Sequence, residues 1–421
     1  MNKKRLFTPS LLALSVVGVM SQPVFAAGFQ LNSQSATGLG RAFAGDAVIA
    51  DNASVMSRNA AAMSLFDSKA LSLGGIVLKT DIKVKGANYT NVLGQPSSLN
   101  DEEIGGTSVA PNLYFIAPIN DQFTAGVSLY SNFGTKTEFS ADYPANEFGG
   151  LTDLKSFNLG LSLAYRIDEQ WSIGGGLDVI YGKGELKRSA DLFAQHPQAG
   201  LISLPDTPLL DVDADGYALG FNLGVVYEHD EDNRFGFSYR YSPELEAEGK
   251  VQKINPATGG MTEFNKLVVP LPDMAEFSGY HKVADQFAVH YSVQWIGWKA
   301  FDKLETASGE HINTYEWQNG WHYSIGGTYY LNSSWTLRAG YMYDTSAQDE
   351  ITSISVPDSD RNWFSAGFSY HLSEQSTFDF GATYLIGKDV AVKETSAIGT
   401  TISATTRANA LLFGAQYSYT F

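Results

Sequence analysis

An all-β transmembrane barrel of 14 antiparallel strands, its lumen plugged by a small N-terminal helical hatch, is the fold class this sequence predicts. Three observations carry that expectation. Segments of period-2 alternation recur almost to the C-terminus. Their connections alternate between short and long. Residues 27–67, which precede the first strand, do not alternate at all.

The alternation has an unusual second face. In "FNLGLSLAYR" (157–166), Phe157, Leu159, Leu161, Leu163 and Tyr165 share one side, while Asn158, Gly160, Ser162 and Ala164 share the other. "YALGFNLGVVYEH" (217–229), "WTLRAGYMYD" (335–344) and "FDFGATYLI" (378–386) repeat the pattern. A soluble sandwich would bury its apolar face and expose long charged residues. Here the second face is small and polar, and the apolar face ends in aromatics, as a lipid-facing band with aromatic girdles requires.

Six short polar turns stand out, at 119–122, 167–170, 229–233, 283–286, 331–334 and 372–376. Seven longer connections lie near 85–107, 140–153, 188–215, 243–262, 302–314, 346–360 and 388–407. Thirteen connections imply fourteen strands, with short periplasmic turns and long outer loops. The chain closes on "LLFGAQYSYTF", whose Phe413, Ala415, Tyr417, Tyr419 and Phe421 share a face. A terminal Phe421 on an amphipathic strand resembles the signal read by the barrel-assembly machinery.

Lys3, Lys4 and Arg5, the apolar "LLALSVVGVM" and the small-residue site ending at Ala26 mark residues 1–26 as a signal peptide. Its removal takes the net charge from −17 to −20, which argues against nucleic acid as a partner. Cys is absent and no apolar run is long enough for a membrane helix. Residues 27–67, rich in Ala and Gly with Ser, Asp and Asn at cap positions, read as loops and short helices that plug the lumen. Residues 68–421 are then the barrel. One stretch breaks its own pattern. After Phe123, Ala125, Val127 and Leu129, the sequence inserts Ser131-Asn132-Phe133-Gly134 before alternation resumes. Such a break leaves backbone groups unpaired in a wall that faces lipid, and is tolerable only against protein, expected to be the hatch.

The mature start "AGFQLNSQSATGLGRAFAGDAVIADNAS", then "SRNAAAMSLFD", "LPDMAEFSGY", "VPDSDRNWFSAGFSY" and the run from "APNLYFIAPINDQF" to "SNFGTKTEF" resemble the FadL-type long-chain fatty acid transporters of Gram-negative outer membranes. The resemblance covers essentially the whole mature chain. It implies a 14-stranded barrel plugged by an N-terminal hatch that begins near Phe29, with a third strand kinked at Asn132, Phe133 and Gly134 to open a hole in the wall. Ligand would leave sideways through that hole into the membrane. The family's Asn-Pro-Ala hatch motif, near the opening, maps onto Asn59, Ala60 and Ala61, without the proline. A family arginine for the ligand carboxylate maps onto Arg188. Its assisting lysine falls near Thr314, where no lysine stands, so Lys187 and Lys136 become the candidates.

The segment 191–215 should face the outer medium, yet it carries Leu192, Phe193, Leu201, Ile202, Leu204, Leu209 and Leu210. Exposed apolar clusters of that size have a use: the cluster packs on itself as a lid, catches an amphipathic ligand as a first weak site, or does both. The seven His are scattered with no metal-spaced pair, and no Gly-x-Ser-x-Gly element stands on a strand-to-helix turn, so an enzyme is not expected. A general porin would need no plug. A channel for aromatic hydrocarbons is the nearest alternative, because such ligands carry no carboxylate for Arg188. No cofactor or metal is expected. The partners are long-chain fatty acids and outer-membrane lipid, and the barrel is expected to be a monomer.

Overall fold

Residues 28–192, 204–255 and 258–421 are described by the structure, a computed structural model. Long antiparallel strands build one closed sheet. The first strand is Ala70–Thr90, the second Thr107–Pro118, and the third comes in two pieces, Phe123–Tyr130 and Gly134–Glu138. The fourth to sixth are Leu151–Arg166, Trp171–Leu192 and Leu204–Glu228. The next four are each interrupted: Asn233–Tyr241 with Leu245–Ile254, Met261–Val269 with Met274–Ala284, Phe287–Ile296 with Lys303–Thr306, and His311–Thr314 with Gly320–Asn332. The eleventh is Trp335–Asp344, the twelfth Arg361–His371, the thirteenth Ser376–Gly387 with Val390–Thr395, and the fourteenth Thr401–Thr420. The fourteenth pairs with the first from Ala70↔Thr420 to Thr90↔Thr401, which closes the barrel. Short pieces Pro96–Ser98 and Glu102–Glu103 fold back on the first strand.

All six short turns fall where the sequence places them, at one end of the barrel. The long connections are a different matter. Much of 188–215, 243–262 and 302–314, expected as loop, is strand that rises beyond the lipid band. Lys183 pairs with Asp213 at 2.9 Å, Lys266 with Glu246 and Glu248 at 3.1 and 2.9 Å, and Lys250 with Asp211. Above the membrane the period of two persists with its polarity reversed: Val212, Ala214, Leu245 and Ala247 are buried toward the lumen while Asp213, Asp215, Glu246 and Glu248 are exposed to water. Below, Leu161, Leu177, Leu219, Leu223, Ile325 and Phe413 stand more than half exposed on the outer surface. A belt of exposed Leu, Phe and Tyr this continuous is a lipid-facing surface. No helix among the described residues is long and apolar enough to cross a membrane.

Residues 28–67 fill the lumen. They form one short helix, Ala36–Gly40, and two 3-10 turns, Ala53–Ser57 and Ala60–Leu65. Their caps are side chains of the kind the sequence offers. Ser35 Oγ accepts from Gly38 N–H at 2.9 Å, Asn52 Oδ1 from Ser54 N–H and Asn59 Oδ1 from Ala61 N–H, both at 3.0 Å. Ala42, Phe43 and Ala50 hold φ values of 54°, 59° and 53°, which cost non-glycine residues about 1–2 kcal/mol each. Surrounding contacts hold them there.

Two kinds of contact seat the hatch. The first explains the small second face of the strands. A Cβ on Gly340 would stand 2.1 Å from Arg41 O, and one on Gly174 would stand 2.4 Å from Ala61 N. Hatch backbone therefore lies directly on the wall. The second is a buried chain of charges. Glu276 of the eighth strand meets Arg58 at 3.3 Å, Arg58 meets Asp46 at 3.8 Å, and Arg41 reaches Asp46 at 2.8 Å and Asp51 at 2.7 Å. Asp51 meets Arg338 of the eleventh strand at 3.3 Å, and Arg338 stands 4.0 Å from Asp379 of the thirteenth. Removing one member of such a chain leaves an uncompensated buried charge, at about 3–5 kcal/mol.

Replacing Gly340 with Leu is expected to lift the hatch from the wall while the strand ladders persist. In planar bilayers the purified variant should conduct well above the wild type, with heat-modifiable mobility on gels retained. Unchanged conductance in a folded variant would show that seating does not depend on this approach.

Candidate functional site

The third strand breaks at residues 131–133. Its ladder with the second strand runs from Pro118↔Thr124 to Leu113↔Leu129. Above that point the second strand stays with the first, from Ala110↔Ile76 to Thr107↔Lys79, while Gly134–Glu138 stays with the fourth. The ladder between second and third strands is open over this stretch. It is bridged again higher up, where Glu138 N–H donates to Ile104 O at 3.3 Å and Ser140 N–H to Glu102 Oε1 at 2.9 Å.

The broken segment finds its partners in the hatch, though not where the family resemblance places them. Leu31 N–H donates to Asn132 O at 2.6 Å, Gly134 N–H donates to Phe29 O at 2.8 Å, and Gln30 bridges Phe133. Gln34 Nε2 adds bonds to Ser131 O and Asn132 Oδ1 at 3.3 and 3.1 Å. On the other side Phe133 N–H reaches Ser156 Oγ at 3.1 Å. Phe29–Gln34 thus stands in for the missing neighbour strand. Asn59 is elsewhere. Its amide donates to Ala47 O and Val225 O at 2.9 and 3.1 Å, and Asn59, Ala60 and Ala61 pack against Gly174 and Gly224 of the fifth and sixth strands. The proline-free motif therefore seats the hatch on the wall, away from the break. Gly134 keeps an ordinary φ; its part is the bond to Phe29.

Phe133 turns inward and is buried with Phe29, Trp298, Phe301 and Trp317. Phe29 lies 4.5 Å from Trp298, 5.1 Å from Phe301, 5.7 Å from Trp317 and 6.2 Å from Phe133, ring centre to ring centre. Trp298 and Phe301 come from the turn after Phe287–Ile296, and Trp317 from the interruption in the tenth strand. Strand periodicity does not single these three out. The signal was "WIGWKAF" (295–301), where Gly297 interrupts the alternation and two tryptophans stand three apart.

Above this aromatic floor lie two apolar cavities. One is lined by Phe29, Phe133, Ile180, Val212, Leu245 and Leu267, among others. The other shares Phe29, Leu154, Leu186, Leu267 and Val269 with it and adds Tyr315, Trp317 and Val356. Beneath the floor a polar chamber is lined by Gln30, Arg58, Asn132, Arg240, Glu276 and Gln294. Towards the outside, Leu186, Leu304, Tyr315 and Trp317 are shared with a larger vestibule.

Arg188 lines that vestibule and is half-buried. Its guanidinium donates to Leu151 O at 2.6 Å, to Lys187 O at 2.8 Å and to Thr152 Oγ1 at 2.7 Å, all neutral acceptors. Burial pulls its pKa down, and the charge of Glu394 opposes the shift. Neither candidate assisting lysine faces it. Strand alternation turns Lys187 outward beside Glu185, and Lys136 pairs with Glu138 at 2.8 Å. Thr314 lines the vestibule, as do Lys253 and Lys393. Of the expected loop surface, Phe193, Leu201 and Ile202 lie outside the described residues, and Leu192 ends the fifth strand. Leu209 and Leu210, on the facing strand, line the vestibule.

A family model described as outer membrane protein transport protein (OMPP1/FadL/TodX) matches residues 17–421. The long-chain fatty acid transport protein of Escherichia coli O6:H1 is 38% identical over 453 residues, covering 100% of both chains. In architecture the chain is similar to a Pseudomonas aeruginosa FadL homologue, with a TM-score of 0.84 at 21% identity, covering 93% of this chain and 99% of that one. The Ralstonia pickettii toluene transporter TbuX aligns with a TM-score of 0.64 at 17% identity, over 94% and 99% of the two chains.

Truncating Phe133 to Ala should cost about 3–5 kcal/mol, because four aromatic rings cannot all close over the space it leaves. Urea unfolding in lipid vesicles measures it. A loss below about 1 kcal/mol would mean that Phe133 is not part of a packed floor.

Proposed function

The chain belongs to the outer membrane transport family of the OMPP1/FadL/TodX type, and on that premise we propose that it carries long-chain fatty acids passively across the outer membrane. One observation carries the proposal. A vestibule edged by a cation opens into apolar cavities that end against a break in the barrel wall. Burial of each methylene is worth about 0.8 kcal/mol, so a chain of about sixteen carbons enters an apolar cavity without energy input. The carboxylate needs a partner once it leaves water. The planar fork of Arg188 suits it, and its present acceptors are all neutral.

The steps follow from the polarity of the chambers. Capture occurs at the outer apolar surface near Leu209 and Leu210. The tail then slides into the cavities while Arg188 holds the head. A shift of Phe29–Gln34 uncovers Phe133 and the open ladder between second and third strands, and the ligand leaves sideways. Asn132, Phe133 and Gly134 are the rim of that exit. Asn59, Ala60 and Ala61 keep the rest of the hatch seated as its N-terminus moves. Residues 1–26 serve as the export signal, 27–67 as the hatch and 68–421 as the barrel, with Phe421 read by the assembly machinery. Phe421 suits that role, since its ring is 59% exposed beside Phe115 and Tyr419.

Passage of neutral aromatic hydrocarbons is the second reading. The box of Phe29, Phe133, Trp298 and Trp317 favours it. The two separate at Arg188, which a hydrocarbon does not need.

Cells lacking their own fatty acid channel should recover labelled oleate uptake when given this chain. Equal uptake with and without it would end the proposal. Arg188→Gln should weaken oleate uptake about tenfold or more, the worth of a charge-assisted bond, and leave toluene entry unchanged. Replacing Asn132-Phe133-Gly134 with Val-Thr-Val should leave assembly intact and abolish uptake. Undiminished uptake in a folded variant would remove the lateral exit.

A further inference from the structure

Glu394, on the Val390–Thr395 piece of the thirteenth strand, is unclaimed by the proposed route. It points into the same vestibule as Arg188. Its carboxylate holds a segment that borders one of the apolar cavities. Ile354 N–H donates to Glu394 Oε1 at 2.7 Å, and Ser353 Oγ reaches Oε2 at 3.4 Å. One residue further on, Ser355 O accepts from Thr137 Oγ1 at 2.6 Å, on the third strand above its break. Ile354 and Val356 are buried, and Val356 lines the apolar cavity that Tyr315 and Trp317 also line. The segment 353–356 therefore spans from the thirteenth strand to the third, between vestibule and cavity. Arg188 senses Glu394 through its charge without forming an ion pair among the described residues.

We propose that Glu394 is a headgroup-sensing residue, which takes up a proton when an anionic headgroup binds at Arg188 and thereby loosens its hold on Ile354. This role rests on the transport function proposed above. The physics is linkage. A bound anion adds a second negative charge beside Arg188 and makes the Glu394 carboxylate harder to keep ionised. The neutral acid accepts a weaker bond from Ile354 N–H than the carboxylate does. Headgroup capture thus releases a segment bordering the cavity that receives the tail. The proton comes from bulk water through the open vestibule.

Burial already pushes Glu394 up to about 7, against the Ile354 N–H, the Arg188 charge and Ser353. A folded value raised by burial means that acid favours the neutral form, so anion binding should tighten as pH falls through 7. Other titratable groups line the same vestibule. Glu147 is held by Tyr89 Oη at 2.7 Å and Thr400 Oγ1 at 2.8 Å. His311 meets Thr314 Oγ1 at 2.8 Å, and Lys253 meets Glu310 at 2.9 Å. Tyr315, Glu350 and Lys393 complete the set.

The test is calorimetric titration of the full-length barrel in detergent with a long-chain alkyl sulfonate, anionic at every pH used, and with oleate. Both should bind up to about tenfold more tightly at pH 6 than at pH 8, the most that one group titrating near 7 can give. Two buffers of different ionisation enthalpy should reveal proton uptake at pH 7. Oleyl alcohol should show neither effect. Glu394→Gln should bind the sulfonate at pH 8 as the wild type does at pH 6, with no proton uptake. Glu147→Gln, Glu350→Gln and His311→Gln should keep the wild-type slope. An unchanged slope in Glu394→Gln overturns the sensing role. Anion binding that depends on Arg188 but takes up no proton overturns the sensing role alone. No binding of oleate or sulfonate at any pH overturns the transport proposal with it.

Discussion

Lipid offers no partner to a bare N–H or C=O, and the rest of this structure depends on how that constraint is met at residues 131–133. The broken third strand keeps its bonds because Phe29, Gln30 and Leu31 take the place of a neighbour strand. The hatch N-terminus is thus part of the wall as well as a plug. The bond from Leu31 N–H to Asn132 O ties the hatch position to the wall opening. In the proposed route, a hatch N-terminus that leaves must give up its backbone bonds to the third strand.

The remainder of the hatch is held by different means from its N-terminus. Residues 36–65 lie against glycines of the wall and are tied by the charges running from Glu276 through Arg41 to Asp379. Phe29 to Gln34 are held by aromatic packing and a few hydrogen bonds. Arg58 bridges the two parts, giving one amino group to Asn32 Oδ1 and Gln34 Oε1 while its other meets Glu276. Local stability differs along the hatch in the sense a gate requires.

Polarity then sorts what can pass. A wet vestibule with Arg188 and Glu394, apolar cavities, and a polar chamber beneath the aromatic floor are stacked along the lumen. An amphipathic molecule can satisfy the upper two at once, head in the vestibule and tail below. The polar chamber is hostile to a tail, which is why the proposed route leaves through the side wall. This stacking is a product of the interruptions in the ninth and tenth strands, which fold Trp298, Phe301 and Trp317 inward at the level of the third-strand break.

Strand number and lipid face were legible in the sequence because the solvent changes sides. Each membrane residue faces either hydrocarbon or the hatch, so Leu159, Leu161 and Leu163 must alternate with Asn158, Gly160 and Ser162. The hatch was legible as the one segment without that period, and the break as an interruption of it. The strands above the membrane were not, since there the outward face turns polar, with Lys183, Glu185 and Asp213 facing water, and the apolar face turns inward, with Leu186, Val212 and Ala214 on the lumen side. Arg188 came through resemblance, and alternation within its own strand then put Lys187 on the wrong side to help it. What fills the break, Phe29 to Leu31 rather than Asn59, was decided only in three dimensions, as was the meeting of Glu394 with Ile354 forty residues away. Periodicity reports which side of a wall a residue faces; only the closed barrel decides what stands on the other side of the lumen.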